Sequence, residues 1–174
     1  MSNEQENKIN ETAVAELLGM NFFIPGYQRG YRWTEQQVND LLNDIKEFKA
    51  ENKSWYRLQP LVVKELKEDT FKKIKEATCL EEVKSLLKGR WEVIDGQQRL
   101  TTLYLLCKYL GIPSYMFEFE RDKSNERVDF MEGNISFNDS CSDFFYISQA
   151  YKTIEDVFEG VLEGDEEPIF KESD

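Results

Sequence analysis

Apolar and polar positions alternate between two periods along this chain of 174 residues, and the switches between them mark the elements. Val14, Leu17 and Leu18 predict a short helix over Thr12 to Leu18, which Gly19 stops. Asn21-Phe22-Phe23-Ile24 reads as a short strand ended by Pro25-Gly26. Thr34-x-x-Gln37 is a capping box, and Val38, Leu41, Leu42, Ile45 and Phe48 follow on one helical face until Asn52-Lys53. Gln59 to Val63 reads as a strand entered from Pro60. The Lys/Glu-rich stretch 67–90 reads as a surface helical insertion. A second capping box, Thr78-x-x-Glu81, opens it, Leu80, Val83, Leu86 and Leu87 line it, and Gly89 closes it. Trp91 to Ile94 is a β-rich run, and Asp95-Gly96-Gln97 is a turn. A helix from Gln98 carries Leu100, Leu103, Tyr104, Cys107 and Leu110 on one face up to Gly111-x-Pro113. Tyr115, Phe117 and Phe119 alternate as in a half-buried strand. Residues 120–142 are polar and loop-like, with a short turn near Val128 to Met131. The last helix is expected over Phe144 to Phe158, with Ile147, Tyr151 and Ile154 facing inward.

Composition narrows the class. Hydrophobic residues are 40% of the chain and aromatics 13%, enough for a real core and against general disorder. The formal net charge is −12, which argues against a protein that coats nucleic acid through bulk charge but leaves room for a local basic pocket. There is no histidine, so Ser-His-Asp and Cys-His catalysis, His-ligated metals and histidine-dependent nuclease chemistry are excluded for this chain. Cys79, Cys107 and Cys141 form no CxxC pair, so reduced thiols and no zinc site are expected. No apolar run is long enough to cross a membrane and the first residues are polar and acidic, which together point to the cytoplasm. Residues 1–11 are expected to be a flexible N-terminus and 159–174 an acidic tail or linker.

Two loops hold the candidate chemistry. Ile24 to Trp33 packs Gly26, Tyr27, Gln28, Arg29, Gly30, Tyr31 and Arg32 directly before a helix. Glycine admits close approach, arginine offers forked donors, and aromatic faces can stack on a base. The competing reading makes Tyr31 and Trp33 core anchors and Arg29 an internal ion pair; residue chemistry alone favours that reading. The second loop, Trp91 to Leu103, runs strand, glycine turn, helix N-terminus. That order suits an anion, because the first helical amides lack partners and the dipole end is positive. Asp95-x-x-Gln98 could be only a capping box, which would explain those two residues but neither Gln97 nor Arg99, so function is favoured for this loop. Asp95 next to a phosphate calls for a cation such as Mg²⁺ between them. The spacing matches neither a Walker A loop nor a GxGxxG fingerprint. Glu118 and Glu120 read as a solvated strand edge.

Ile24-Pro-x-Tyr-Gln-Arg-x-Tyr-x-Trp33, followed by Ile94-Asp-Gly-Gln-Gln-Arg-Leu-Thr-Thr-Leu103, resembles the N-terminal domain of GmrSD-type, modification-dependent restriction enzymes, with their Asp-Gly-Gln-Gln-Arg motif at Asp95 to Arg99. Phe117-Glu-Phe-Glu-Arg121 with Ser124, and Ser148-Gln-Ala-Tyr151, are weaker echoes of the same family. The family is similar to the ParB/sulfiredoxin superfamily, through Leu58 to Val63 and Trp91 to Arg99. The resemblance implies a mixed α/β fold with a small mixed sheet and packed helices, in a domain over 12–158 that is one part of a larger unit. It implies nucleoside triphosphate binding with Mg²⁺, and hydrolysis that licenses cleavage of modified DNA. No haem or flavin is implied. Asp95, Gln97 and Gln98 are then the candidate catalytic residues, with Asp95 also meeting Mg²⁺. Tyr27, Gln28, Arg29, Arg32, Gly96, Arg99 and Thr101 are the candidate nucleotide-binding residues, and Arg121 is an additional candidate. Slow turnover is expected, since neither loop contains a lysine or histidine. An HNH-type nuclease half is expected in the same or a companion chain. The alternatives are a non-catalytic module for modified DNA or partner docking, and a ParB-type nicking nuclease.

Overall fold

The computed structural model describes residues 10–48, 55–66, 74–76, 78–80, 83, 89–122, 124, 126–134 and 142–163. Its elements are α1 (Val14–Leu17), β1 (Asn21–Ile24), α2 (Glu35–Glu47), β2 (Val62–Leu66), β3 (Arg90–Asp95), α3 (Gln97–Tyr109), β4 (Met116–Phe119), α4 (Glu126–Met131) and α5 (Ser142–Glu163). This is the mixed α/β architecture expected. Most of the expected insertion over 67–90, including Glu81, Leu86 and Leu87, lies outside the described residues, as do Asn52, Lys53, Cys141, 1–9 and 164–174.

The four strands form one sheet in the order β2-β3-β1-β4. β1 is parallel to both β3 and β4, and β2 runs antiparallel to β3. Phe22 lies in register with Trp91 and Phe117, so one face of the sheet is aromatic at its centre. The opposite face carries Arg90, whose guanidinium lies 4.4 Å from the Phe23 ring centroid and pairs with Glu118. Glu118 is thus a partner in an ion pair, not a merely solvated edge residue. β2 starts three residues later than the expected strand start at Gln59. Its pairing with β3 sets it at Val62 to Leu66, and Pro60, with no N–H to give a ladder, is left in the approach.

α2 follows its sequence signal closely. Gln37 Oε1 accepts from the Thr34 amide at 2.7 Å, completing the capping box, and Val38, Leu41 and Leu42 are buried. α3 departs from its signal. It starts at Gln97 and buries every position from Leu100 to Cys107, not one stripe. A helix hydrophobic all round is a core helix. α3 joins the parallel strands β3 and β4, which flank β1, and its partner α5 packs on both α2 and α3. One buried polar member of α3 is absorbed locally: Tyr31 Oη and Thr102 Oγ1 share a buried bond of 2.8 Å. α4 is a helix where only a turn is expected, and α5 extends past Phe158 to Glu163. Phe144 anchors the start of α5 by stacking on Phe130 of α4 at 4.3 Å.

Three parallel strands therefore point their carboxyl ends to one edge of the sheet. The loop after β1, the Gly96 turn after β3 and the segment after β4 meet there, which is where open α/β sheets bind ligands. Leu105, 1% exposed within the core cluster, tests the central role of α3. Leu105→Ala should lower unfolding free energy by about 2–5 kcal/mol, read from urea denaturation, with the helical circular dichroism retained.

Candidate functional site

Gly96 is the N-cap of α3, with φ +94°, a left-handed conformation that disfavours other residues. A Cβ there would also stand 3.0 Å from a Leu61 methyl. The capping-box account of Asp95 and Gln98 is overturned: Asp95 is an exposed strand residue paired with Val62, and no side chain caps α3. The first amides of this thirteen-residue helix keep their unmet donors.

The glutamines of the two motifs instead join the loops to each other. Gln98 Oε1 accepts from the amides of Arg32, at 2.7 Å, and Trp33, at 3.2 Å, while its Nε2 donates to the Gly30 carbonyl at 3.1 Å. Gln28 Nε2 donates to the carbonyls of Ile94, at 2.7 Å, and Val93, at 3.2 Å. The loop after β1 is thereby stapled to the end of β3 and to the first turn of α3. Tyr27 is exposed and donates to Glu92 at 3.0 Å. Gly26 donates its amide to Glu120.

A cavity of about 40 Å³ opens between these elements, lined chiefly by Gln28, Arg29, Gln97, Arg121, Arg127 and Asp143. It has room for roughly three waters or one phosphoryl group. Four of the expected site residues therefore meet in it: Gln28, Arg29, Gln97 and Arg121. Arg29 and Arg121 are exposed and make no hydrogen bond or ion pair with the described residues. Gln97 is 5% exposed, and its Oε1 has no partner. The buried Thr101 hydroxyl, one turn further along α3 and outside the cavity lining, also lacks one.

Other expected ligand residues lie elsewhere. Arg99 Nη1 donates to Gln59 Oε1 and Nη2 to the Pro60 carbonyl, each at 2.7 Å, so its guanidinium holds the approach to β2 and does not line the cavity. Arg32 bonds Asp143 Oδ1 at 2.5 Å and Ser142 Oγ at 2.8 Å, behind the cavity. Asp95 and Gly96 also fall outside the lining. Sequence reading overlooked two participants, Arg127 and Asp143. Arg127 Nε donates to Asp143 Oδ2 at 2.7 Å. Their only sequence mark is opposite charge on either side of a polar stretch.

Among the described residues no three acidic or cysteine side chains gather as a metal cage. The donor set does not suit a protein-held cation. Asp95, the residue expected to meet Mg²⁺, lies outside the cavity lining.

The family model of the GmrSD restriction endonuclease N-terminal domain matches residues 8–172. The chain belongs to this family, and so is a domain of a restriction system. No curated protein and no solved structure matches it. No described helix is long and apolar enough to cross a membrane.

Gln98 gives a direct check on the stapled loops. Gln98→Ala should cost about 1–3 kcal/mol by stranding three backbone groups. Amide exchange at Arg32 and Trp33 should quicken, read by hydrogen–deuterium exchange.

Proposed function

We propose that this domain binds the polyphosphate of a nucleoside triphosphate at the carboxyl ends of β1, β3 and β4, and hydrolyses it slowly. The observation that carries the reading is the cavity itself. Two arginines with no hydrogen bond or ion pair among the described residues line one small space, together with the buried Gln97, beside a helix N-terminus that no described side chain caps. Unpaired guanidinium groups and helix amides favour an anion. A buried acceptor with no partner costs about 1–3 kcal/mol, which a ligand or water donor would recover only after the Gln97 amide turns toward the cavity.

In this reading Arg29 and Arg121 neutralise phosphate oxygens, and Gln97 orients the attacking water once its amide turns toward the cavity, since its Oε1 is closed off from solvent as it stands. Positioning and electrostatics carry most of phosphoryl transfer, so no histidine is required. Mg²⁺ would supply charge neutralisation between phosphate oxygens and would be met by Asp95. Gln98 and Gln28 hold the loops in place, and Arg99 secures the segment before β2. The ParB/sulfiredoxin-like relationship supports the same location, because the turn after β3 takes the place of that superfamily's phosphate-holding turn. The domain would act in the cytoplasm, in a system that cleaves modified DNA through an HNH-type half.

Isothermal titration with each nucleoside triphosphate and Mg²⁺ tests the proposal. Arg29→Ala and Arg121→Ala should each weaken binding about tenfold, or ~1.4 kcal/mol. The melting temperature should hardly move, since both side chains are exposed and neither bonds any of the described residues. Unchanged affinity in the double variant would reject the site.

A further inference from the structure

Asp143 is an unexpected member of an anion-binding wall. Its carboxylate is 3% exposed, lines the cavity, and is held from two sides. Arg32 binds Oδ1 at 2.5 Å from behind, assisted by Ser142, and Arg127 binds Oδ2 at 2.7 Å. Only Arg127 of these two arginines also lines the cavity. The approach of Asp143 is built into the first motif: a Cβ at Gly30 would lie 2.0 Å from Oδ1. Arg127 has a second carboxylate, Asp122 Oδ2, at 4.0 Å, and its guanidinium lies 5.6 Å from the Phe119 ring centroid. Asp122 is itself occupied by the amides of Glu126 and Arg127, at 3.0 and 2.6 Å.

A phosphoryl group in this space would stand beside the Asp143 carboxylate and would draw on the same guanidinium. Two anions contacting one buried arginine repel each other strongly in a medium poorer in water than bulk solvent. Arg32 satisfies Asp143 independently, so Arg127 is the arginine that can change partner at the smaller cost.

We propose that Arg127 is a ligand-binding residue of this site and that Asp143 is its resident competitor: a phosphoryl group entering the cavity takes Arg127 from Asp143. The exchange would break the bond between α4 and the first turn of α5. Ligand occupancy would thus reach α5, the twenty-two-residue helix that packs on α2 and α3. The inference rests on the proposal that the cavity takes phosphate, and it assigns the grip to a residue outside both motifs.

The full chain titrated with inorganic tripolyphosphate provides the test. Asp143→Asn keeps the shape and an acceptor for Arg32 while removing the competing charge. It should tighten tripolyphosphate binding three- to tenfold, and Arg127→Ala should weaken it at least tenfold. Equal or weaker binding by a folded Asp143→Asn protein overturns the competition, while wild-type binding in that same experiment leaves the site itself standing. No binding of tripolyphosphate to the wild type overturns both. Should Asp143→Asn not fold, hydrogen–deuterium exchange on the wild type decides. Tripolyphosphate should speed exchange at amides 146–149, whose acceptors are in the first turn of α5, and unchanged or slower exchange there overturns the proposal.

Discussion

A carboxylate buried to 3% exposure must be paired, and the pairing of Asp143 sets much of the geometry around it. Leaving a buried charge uncompensated costs about 3–5 kcal/mol, so at least one of Arg32 and Arg127 stays with Asp143. Arg32 belongs to the loop after β1, Arg127 to α4 and Asp143 to α5. One side chain therefore joins three segments, one of which lies about a hundred residues before the other two. The bare Cα of Gly30 is what lets the loop come close enough.

The polar residues of the two motifs then divide into two groups. Gln28, Gln98 and Arg99 spend their hydrogen bonds on backbone or side-chain partners within the fold. Arg29 and Gln97 line the cavity and make no side-chain hydrogen bond to the described residues through the guanidinium of the first or the Oε1 of the second. The neighbours Gln97 and Gln98 differ because successive helical residues point about 100° apart. One looks toward the cavity beside Arg121, the other toward the amides of Arg32 and Trp33. A motif of five adjacent residues is thus half scaffold and half site, and a substitution in it reports on both unless folding is measured separately.

Local signals were readable wherever the determinant is local. The capping box at Thr34 and Gln37, the alternation of Tyr115 and Phe117, and the glycine turn before α3 all depend on neighbours within four residues. The all-round burial of α3 was not readable from a single apolar face, because it arises from what the sheet and α5 bring to its other sides. The position of Arg99 was hidden for the same reason: Gln59 and Pro60, some forty residues earlier, supply its acceptors. Asp122, Arg127 and Asp143 sit in a stretch that reads as polar loop, and charge alone does not distinguish a solvated side chain from a buried partner. The convergence of Gln28, Arg29 and Gln97 was legible as two motifs of matching character. The contribution of α4 and α5 required the tertiary structure.

The overall charge of −12 and the arginine-lined cavity act over different distances. At physiological ionic strength, exposed charges are screened beyond about 8 Å, so the acidic surface sets the long-range field while contacts inside the cavity are governed by the guanidinium groups within reach. A long polyanion must lie along the acidic surface and meets that repulsion over its whole length. A small, highly charged anion enters one cationic space and escapes most of it. Under the proposed function this contrast favours a division of labour, in which the present domain would sense a small phosphate-bearing ligand and contact with DNA would fall to another surface or another chain. It also gives the Asp143–Arg127 bond a physical purpose. In an acidic domain the cavity's guanidinium groups are the strongest local attraction for any anion, and a resident carboxylate raises the threshold to ligands with enough charge to displace it.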